Sequence, residues 1–183
     1  MLVDGDYADR VAFNLICNFE RMLERRVPQA DLAKWIDCMA LDGGLRPGDN
    51  SVEVVFVHKS RKLENFTPGS YADDIHGKAF RDQLGEFAMT AYQVEDVVST
   101  EDFFVQCLEV VLSAKETRRV IAVPDMESYG QRVRQTLRHA DPDKHVTLLT
   151  MAPAEGGNFR QDLLGYSLMA ALGIKGEEIE RKG

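Results

Sequence analysis

The stretch Val52–His58, VEVVFVH, is apolar at five of its seven positions, and RVIAV at 119–123 repeats the pattern. A strand that is apolar at nearly every position is buried on both faces, so it belongs to a parallel sheet with helices packed on each side. That requirement constrains this chain more than any other feature. Segments with helical spacing alternate with such strands along its length. Val11, Leu15, Phe19 and Met22 or Leu23 recur every three to four residues, as do Leu32, Trp35, Ile36 and Met39.

Read in order, the chain gives a short strand at Leu2–Asp4, a helix from Asp9 to about Arg26, and a second helix ending at Gly43-Gly44. Strand 52–58, a short helix over Lys78–Leu84 and a strand over Phe87–Val94 follow. Ser99 caps a helix that runs to about Lys115, with Phe103, Cys107, Val110 and Val111 facing inward. Strand 120–123, helix Met126–His139, strand HVTLLTM and a final helix Phe159–Leu172 complete the pattern. Residues 63–77 are irregular, and the polar tail 175–183 is expected to fray. The expected fold is one α/β domain over 1–183, with a mainly parallel five-stranded sheet between helical layers.

At 183 residues with 44% hydrophobic and 28% charged content, the chain suits a folded globular domain. No apolar run approaches the length of about 18 residues that spans a membrane. Cys17, Cys38 and Cys107 are scattered and odd in number, and read as small buried apolar residues. Without a recognisable leader or a disulfide framework, the expected compartment is the cytoplasm. The net charge of −8 opposes non-specific nucleic-acid binding but suits an acidic site that concentrates a divalent cation. No Cys-x-x-Cys, His-x-x-x-His or Gly-x-Ser-x-Gly occurs, which removes structural zinc and the common hydrolase nucleophile.

Ligands of open parallel sheets bind at the carboxyl ends of the strands. Acidic residues gather there. Asp4 and Asp6 end the first strand, Glu95, Asp96, Glu101 and Asp102 follow the third, and Asp125 and Glu127 follow the fourth. Mg2+ or Mn2+ takes oxygen ligands of this kind, usually one or two carboxylates with water and phosphate. Two such ions can activate a water and stabilise a leaving oxygen in phosphodiester hydrolysis. The same acids can instead cap helix N-termini and complement their dipoles. The basic loop HKSRK leaves strand 52–58, so Lys59, Arg61 and Lys62 would flank the acidic edge and hold phosphates if that strand neighbours the first. The loop APAEGGNFRQD lacks a nucleotide-binding glycine pattern and reads as a turn with Asn158 as helix cap.

The stretches VDGDY, STEDFFVQCLEVVL and VIAVPDMESYGQRVRQTL occur in this order, followed by the strand HVTLLTM. Over roughly residues 1–151 they resemble the NYN branch of the PIN-like nuclease superfamily, as a divergent member. The resemblance implies a Rossmann-like α/β/α sandwich and metal-dependent cleavage of RNA or another single-stranded nucleic acid. It implies Asp4, Asp102 and Asp125 as catalytic metal ligands, with Glu127 and Asp6 completing the set for Mg2+ or Mn2+. This chain departs from the family pattern at Tyr7, where the family has Asn, and at Val123-Pro124, where it has Ser-Gly. It departs again at Glu127 and Ser128, in place of Asp and an aromatic residue. The alternative is a non-catalytic protein on the same fold that binds a ligand or partner, self-association through its helices included.

Overall fold

The computed structural model describes residues 1–153 and 156–182. Its elements are β1 (Leu2–Asp4), α1 (Gly5–Leu23), β2 (Ala30–Asp31), α2 (Leu32–Asp42), β3 (Asn50–His58) and β4 (Phe66–Thr67). A π-helical turn (Tyr71–Ile75) precedes β5 (Ala79–Asp82), β6 (Gly85–Gln93), α3 (Thr100–Ser113), β7 (Arg119–Val123) and α4 (Met126–Arg138). The chain continues through β8 (His145–Thr150), β9 (Arg160–Leu163), α5 (Leu164–Ala171) and α6 (Gly176–Lys182).

The main sheet has the order β5-β6-β3-β1-β7-β8-β9. All its pairings are parallel except β5 with β6. Successive residues of the inner strands point to opposite faces, as strand geometry requires. Val3, Ile121 and Val123 join a core beneath α1, α2 and α5, and Leu2, Val120 and Ala122 join a second core beneath α3 and α4. The fold is thus a three-layer α/β sandwich. The sheet has seven strands rather than the expected five.

The two extra strands lie where local pattern misleads. Residues 78–84 do not form a helix. Ala79–Asp82 pairs antiparallel with residues 85–88 of β6, with Phe80 opposite Phe87 and their rings stacked 4.8 Å apart. The 159–172 segment divides into edge strand β9, parallel to β8, and the shorter helix α5. Asn158 does not cap that helix, since its side-chain amide donates to the Leu137 carbonyl at 3.2 Å. Ala154 and Glu155 of the same loop lie outside the described residues.

Other corrections follow from packing. Helix α1 starts at Gly5 rather than Asp9, because the Asp4 carboxylate caps it by accepting from the Tyr7 amide. On α3 the buried positions are Phe104, Val105, Leu108 and Leu112, whereas Phe103, Cys107 and Val111 are partly buried and Val110 is exposed. Cys17 is exposed, and Cys38 and Cys107 are half-buried. The tail does not fray throughout: residues 176–182 form α6, which is tied to the end of α1 by an Arg25–Glu178 ion pair of 2.8 Å. Among the described residues, no helix is long and apolar enough to cross a membrane.

Candidate functional site

The chain leaves β1 toward β3 on one side and later returns to place β7 on the other. The carboxyl ends of β1 and β7 therefore flank a topological switch point, the place where open α/β sheets leave a crevice for ligands. Val3 pairs with Val123, so Asp4 and Asp125 emerge side by side from neighbouring strands. Both are buried, at 4% and 6% exposure.

Each acid caps the helix that follows it. Asp4 Oδ1 accepts from the Tyr7 amide at 3.1 Å, and its Oδ2 accepts from the Tyr129 hydroxyl at 2.7 Å. Asp125 Oδ1 accepts from the Ser128 amide at 3.1 Å, and its Oδ2 accepts from the Ser128 hydroxyl at 2.9 Å. Tyr129 links the two caps, since its amide also donates to the Asp125 carbonyl at 3.0 Å. The Tyr129 backbone is non-helical within α4 (φ −139°, ψ 28°).

The charge at this point is unbalanced. Burial raises the Asp4 carboxyl above its ordinary range against the pull of its two hydrogen bonds, and the charges of Asp6 and Asp125 raise it further. Tyr7 beside them is pushed up to about 12, first by burial and then by the charges of Asp125 and Glu127, with Arg10 opposing. Glu127, exposed in the first turn of α4, thus lies within the same field.

Asp6 turns to the neighbouring loop. Its carboxylate accepts from the Lys59 amide at 2.7 Å and the Ser60 amide at 3.2 Å. Asp9 does the same one turn later, accepting from the Glu64 and Asn65 amides at 3.0 and 2.9 Å and from the Asn65 side chain at 3.0 Å. Because β3 pairs with β1, this basic loop does stand on the edge that carries Asp4. Lys59, Arg61 and Lys62 are exposed there, with Lys62 paired to Glu64 at 3.5 Å. Asp9→Ala is expected to cost about 1–3 kcal/mol by leaving the loop amides without their charged acceptor. Faster amide exchange confined to Glu64 and Asn65 would register it, and unchanged exchange there would refute the stapling role.

Asp102 goes elsewhere. It is exposed, and Arg132 of α4 holds it at 2.5 Å and Glu101 at 3.1 Å. The hydrogen bond from Arg132 keeps its carboxyl below the ordinary range. The expected acids therefore divide into a buried pair, Asp4 and Asp125, with Glu127 close by, a loop staple, Asp6, and an ion-paired surface acid, Asp102. Among the described residues, no group of three or more His, Cys, Asp or Glu side chains forms a complete metal cage.

Four further residues at the site carry no local signal in the sequence. Arg10, on the solvent face of α1, reaches Asp125 Oδ2 at 3.1 Å. Tyr129 sits one turn beyond Asp125 and bonds Asp4. His58 ends β3, buried, with Nδ1 2.6 Å from the Ser60 carbonyl, and burial lowers its pKa. Its ring stacks 3.5 Å from that of Tyr71, whose hydroxyl is buried without a hydrogen-bond partner against Gly5.

A family model described as a family of unknown function (DUF6621) matches residues 1–179. The chain belongs to that family. No curated protein and no solved structure matches it. The match spans the strand exits of β1, β3 and β7 together with the covering helices, so this member of DUF6621 carries its buried Asp4–Asp125 pair within the family's own boundaries.

Proposed function

We propose that this chain is a cytoplasmic, divalent-cation-dependent phosphodiester-processing protein of the NYN/PIN-like kind, acting on RNA or another single-stranded nucleic acid. One observation carries the reading: two buried carboxylates, Asp4 at the end of β1 and Asp125 just beyond the end of the adjoining parallel strand β7, stand at the switch point, with the exposed guanidinium of Arg10 against Asp125. Buried negative charge of this kind is costly without a cation.

The donor set suits Mg2+ or Mn2+. It is all oxygen, and it offers two fixed carboxylates and leaves the other coordination positions to water and phosphate. The unpartnered Tyr71 hydroxyl beside Gly5 adds a buried polar atom at the same turn. A bound cation would supply charge stabilisation at phosphorus and a more acidic water. The chain's own residues do the rest. Ser128 and Tyr129 keep the two acids oriented, and Lys59, Arg61 and Lys62 lie on the same edge, where they would hold the flanking phosphates.

A second reading, a non-catalytic ligand- or partner-binding protein, is favoured by the capture of Asp102 by Arg132, which leaves the acidic set one member short. Thermal unfolding with and without millimolar Mn2+ separates the two. In the catalytic reading Mn2+ at about ten times its Kd stabilises the wild type by about 1.4 kcal/mol and leaves Asp4→Asn unmoved. Single-stranded RNA is then cut, and Asp4→Asn and Asp125→Asn each slow cleavage at least about 100-fold. If Mn2+ shifts neither protein and no cleavage appears, the reading is lost.

A further inference from the structure

We infer that Arg10 is the resident cation of this site, a latch on Asp125 that a divalent cation has to displace. The inference rests on the proposed cation site and adds how that site is controlled. Arg10 meets Asp125 through one hydrogen bond, Nη2 to Oδ2 at 3.1 Å, and not through a two-pronged contact. The arginine side chain is 64% exposed and the aspartate side chain 9%. Its guanidinium carbon lies 5.7 Å above the Tyr7 ring centroid, so the Tyr7 face gives the swinging group a rest.

The two partners are unequally held. Asp125 has both oxygens held by Ser128, Oδ1 by its amide and Oδ2 by its hydroxyl, in addition to the Arg10 contact. Among the described residues Arg10 makes no second hydrogen bond or ion pair beside the one to Asp125, and an exposed single-point ion pair contributes little to stability. The acid is thus a built fixture and the base a removable one. A guanidinium cannot clear the site by losing its proton, so it leaves only by rotating out. Independent of the acids, the Tyr71 hydroxyl is 2% exposed at the residue level and unpartnered, and it ends against Gly5 in the field of Asp6, Asp9 and Asp4. The turn therefore holds unsatisfied polarity that Arg10 does not reach.

Mn2+ affinity measured by calorimetry in 0.15 M KCl tests the latch on the full chain. Arg10→Gln is expected to bind Mn2+ about fivefold tighter than the wild type, because the competing cation is gone. Lys59→Gln removes the same charge from the same edge without touching Asp125. With a Debye length of about 8 Å, it is expected to change affinity less than about twofold. Equal gains in both variants would mean general electrostatics and would overturn the latch. Wild-type binding with no gain in Arg10→Gln would overturn it too, while leaving the cation site standing. No binding in any variant would remove the cation site itself, and the latch with it.

Discussion

Gly5→Ala is expected to destabilise the protein by about 2–3 kcal/mol, the cost of forcing a methyl group into a filled space. A Cβ at this position would lie 2.1 Å from the Tyr71 hydroxyl oxygen, 3.2 Å from the ring carbon bearing it and 3.4 Å from the Val57 carbonyl. Tyr71 has nowhere to go. It is buried, stacked on His58, and tilted against Phe56 with ring centroids 6.0 Å apart. The oxygen that blocks the methyl group has no hydrogen-bond partner of its own. Tyr71→Phe is therefore expected to be neutral or stabilising, since it removes a buried unsatisfied group. In the double variant Gly5→Ala should recover most of its loss. Urea unfolding of the four proteins gives the coupling directly. A Gly5→Ala cost that is the same with Tyr or Phe at 71 would show that the clash is not the cause. The glycine of the opening Asp-Gly-Asp is thus required by a tyrosine 66 positions away in the chain, as the difference between 71 and 5 shows.

Stability is expected to fall as pH rises from about 4 to about 7, with Asp37 the main source. This carboxyl, half-buried on α2, is pushed up to about 7, first by burial and then by the hydrogen bond and charge of Asp82 at the end of β5. Asp42 is raised to about 6, by burial and by Asp162, against Arg160. Each group holds a proton in the folded chain that the unfolded chain has already released. Its contribution is complete below the unfolded pKa of about 3.9 and is lost as pH rises through the folded value. Asp37→Asn, which keeps the shape without the charge, should gain about 1–2 kcal/mol at pH 8 after allowance for solvent screening, and nothing at pH 4. Burial lowers the pKa of His58, so its contribution runs the other way and grows as pH rises through about 6.5. That term is common to both proteins and cancels in their difference. Denaturant unfolding of wild type and Asp37→Asn at the two pH values measures it. An equal difference at both would dissociate the pH dependence from Asp37.

Much of the fold can be read from local pattern. The inner strands are apolar at nearly every position, and the helices carry apolar residues every three to four, because each element buries its own faces. That is enough to fix alternation, and alternation implies parallel strands with helices on both sides. Edges escape this logic. Residues 79–82 become a strand because β6 offers them hydrogen bonds and Phe87 offers Phe80 a ring, and 160–163 because β8 does the same on the other side. Neither partner is visible in a local window. Val110 fits the apolar face of α3 by spacing but lies beyond the area that the sheet covers.

The acids divide along the same line. By itself the sequence determined that carboxylates end the strands, since a residue following a strand must leave at its carboxyl end. It left open whether those acids cap helices or hold a cation; the structure makes caps of Asp4 and Asp125, whose carboxylates reach three residues along the chain to Tyr7 and Ser128. Which acids meet was decided only by the tertiary structure. The order β3-β1-β7 sets Asp4 beside Asp125, brings Arg10 to Asp125 and Tyr129 to Asp4, and turns Asp6 to the loop after β3. The packing of α4 against α3 gives Asp102 to Arg132 instead. Pairings between distant residues depend on strand order and helix packing, and neither is encoded in the spacing of residues along one element.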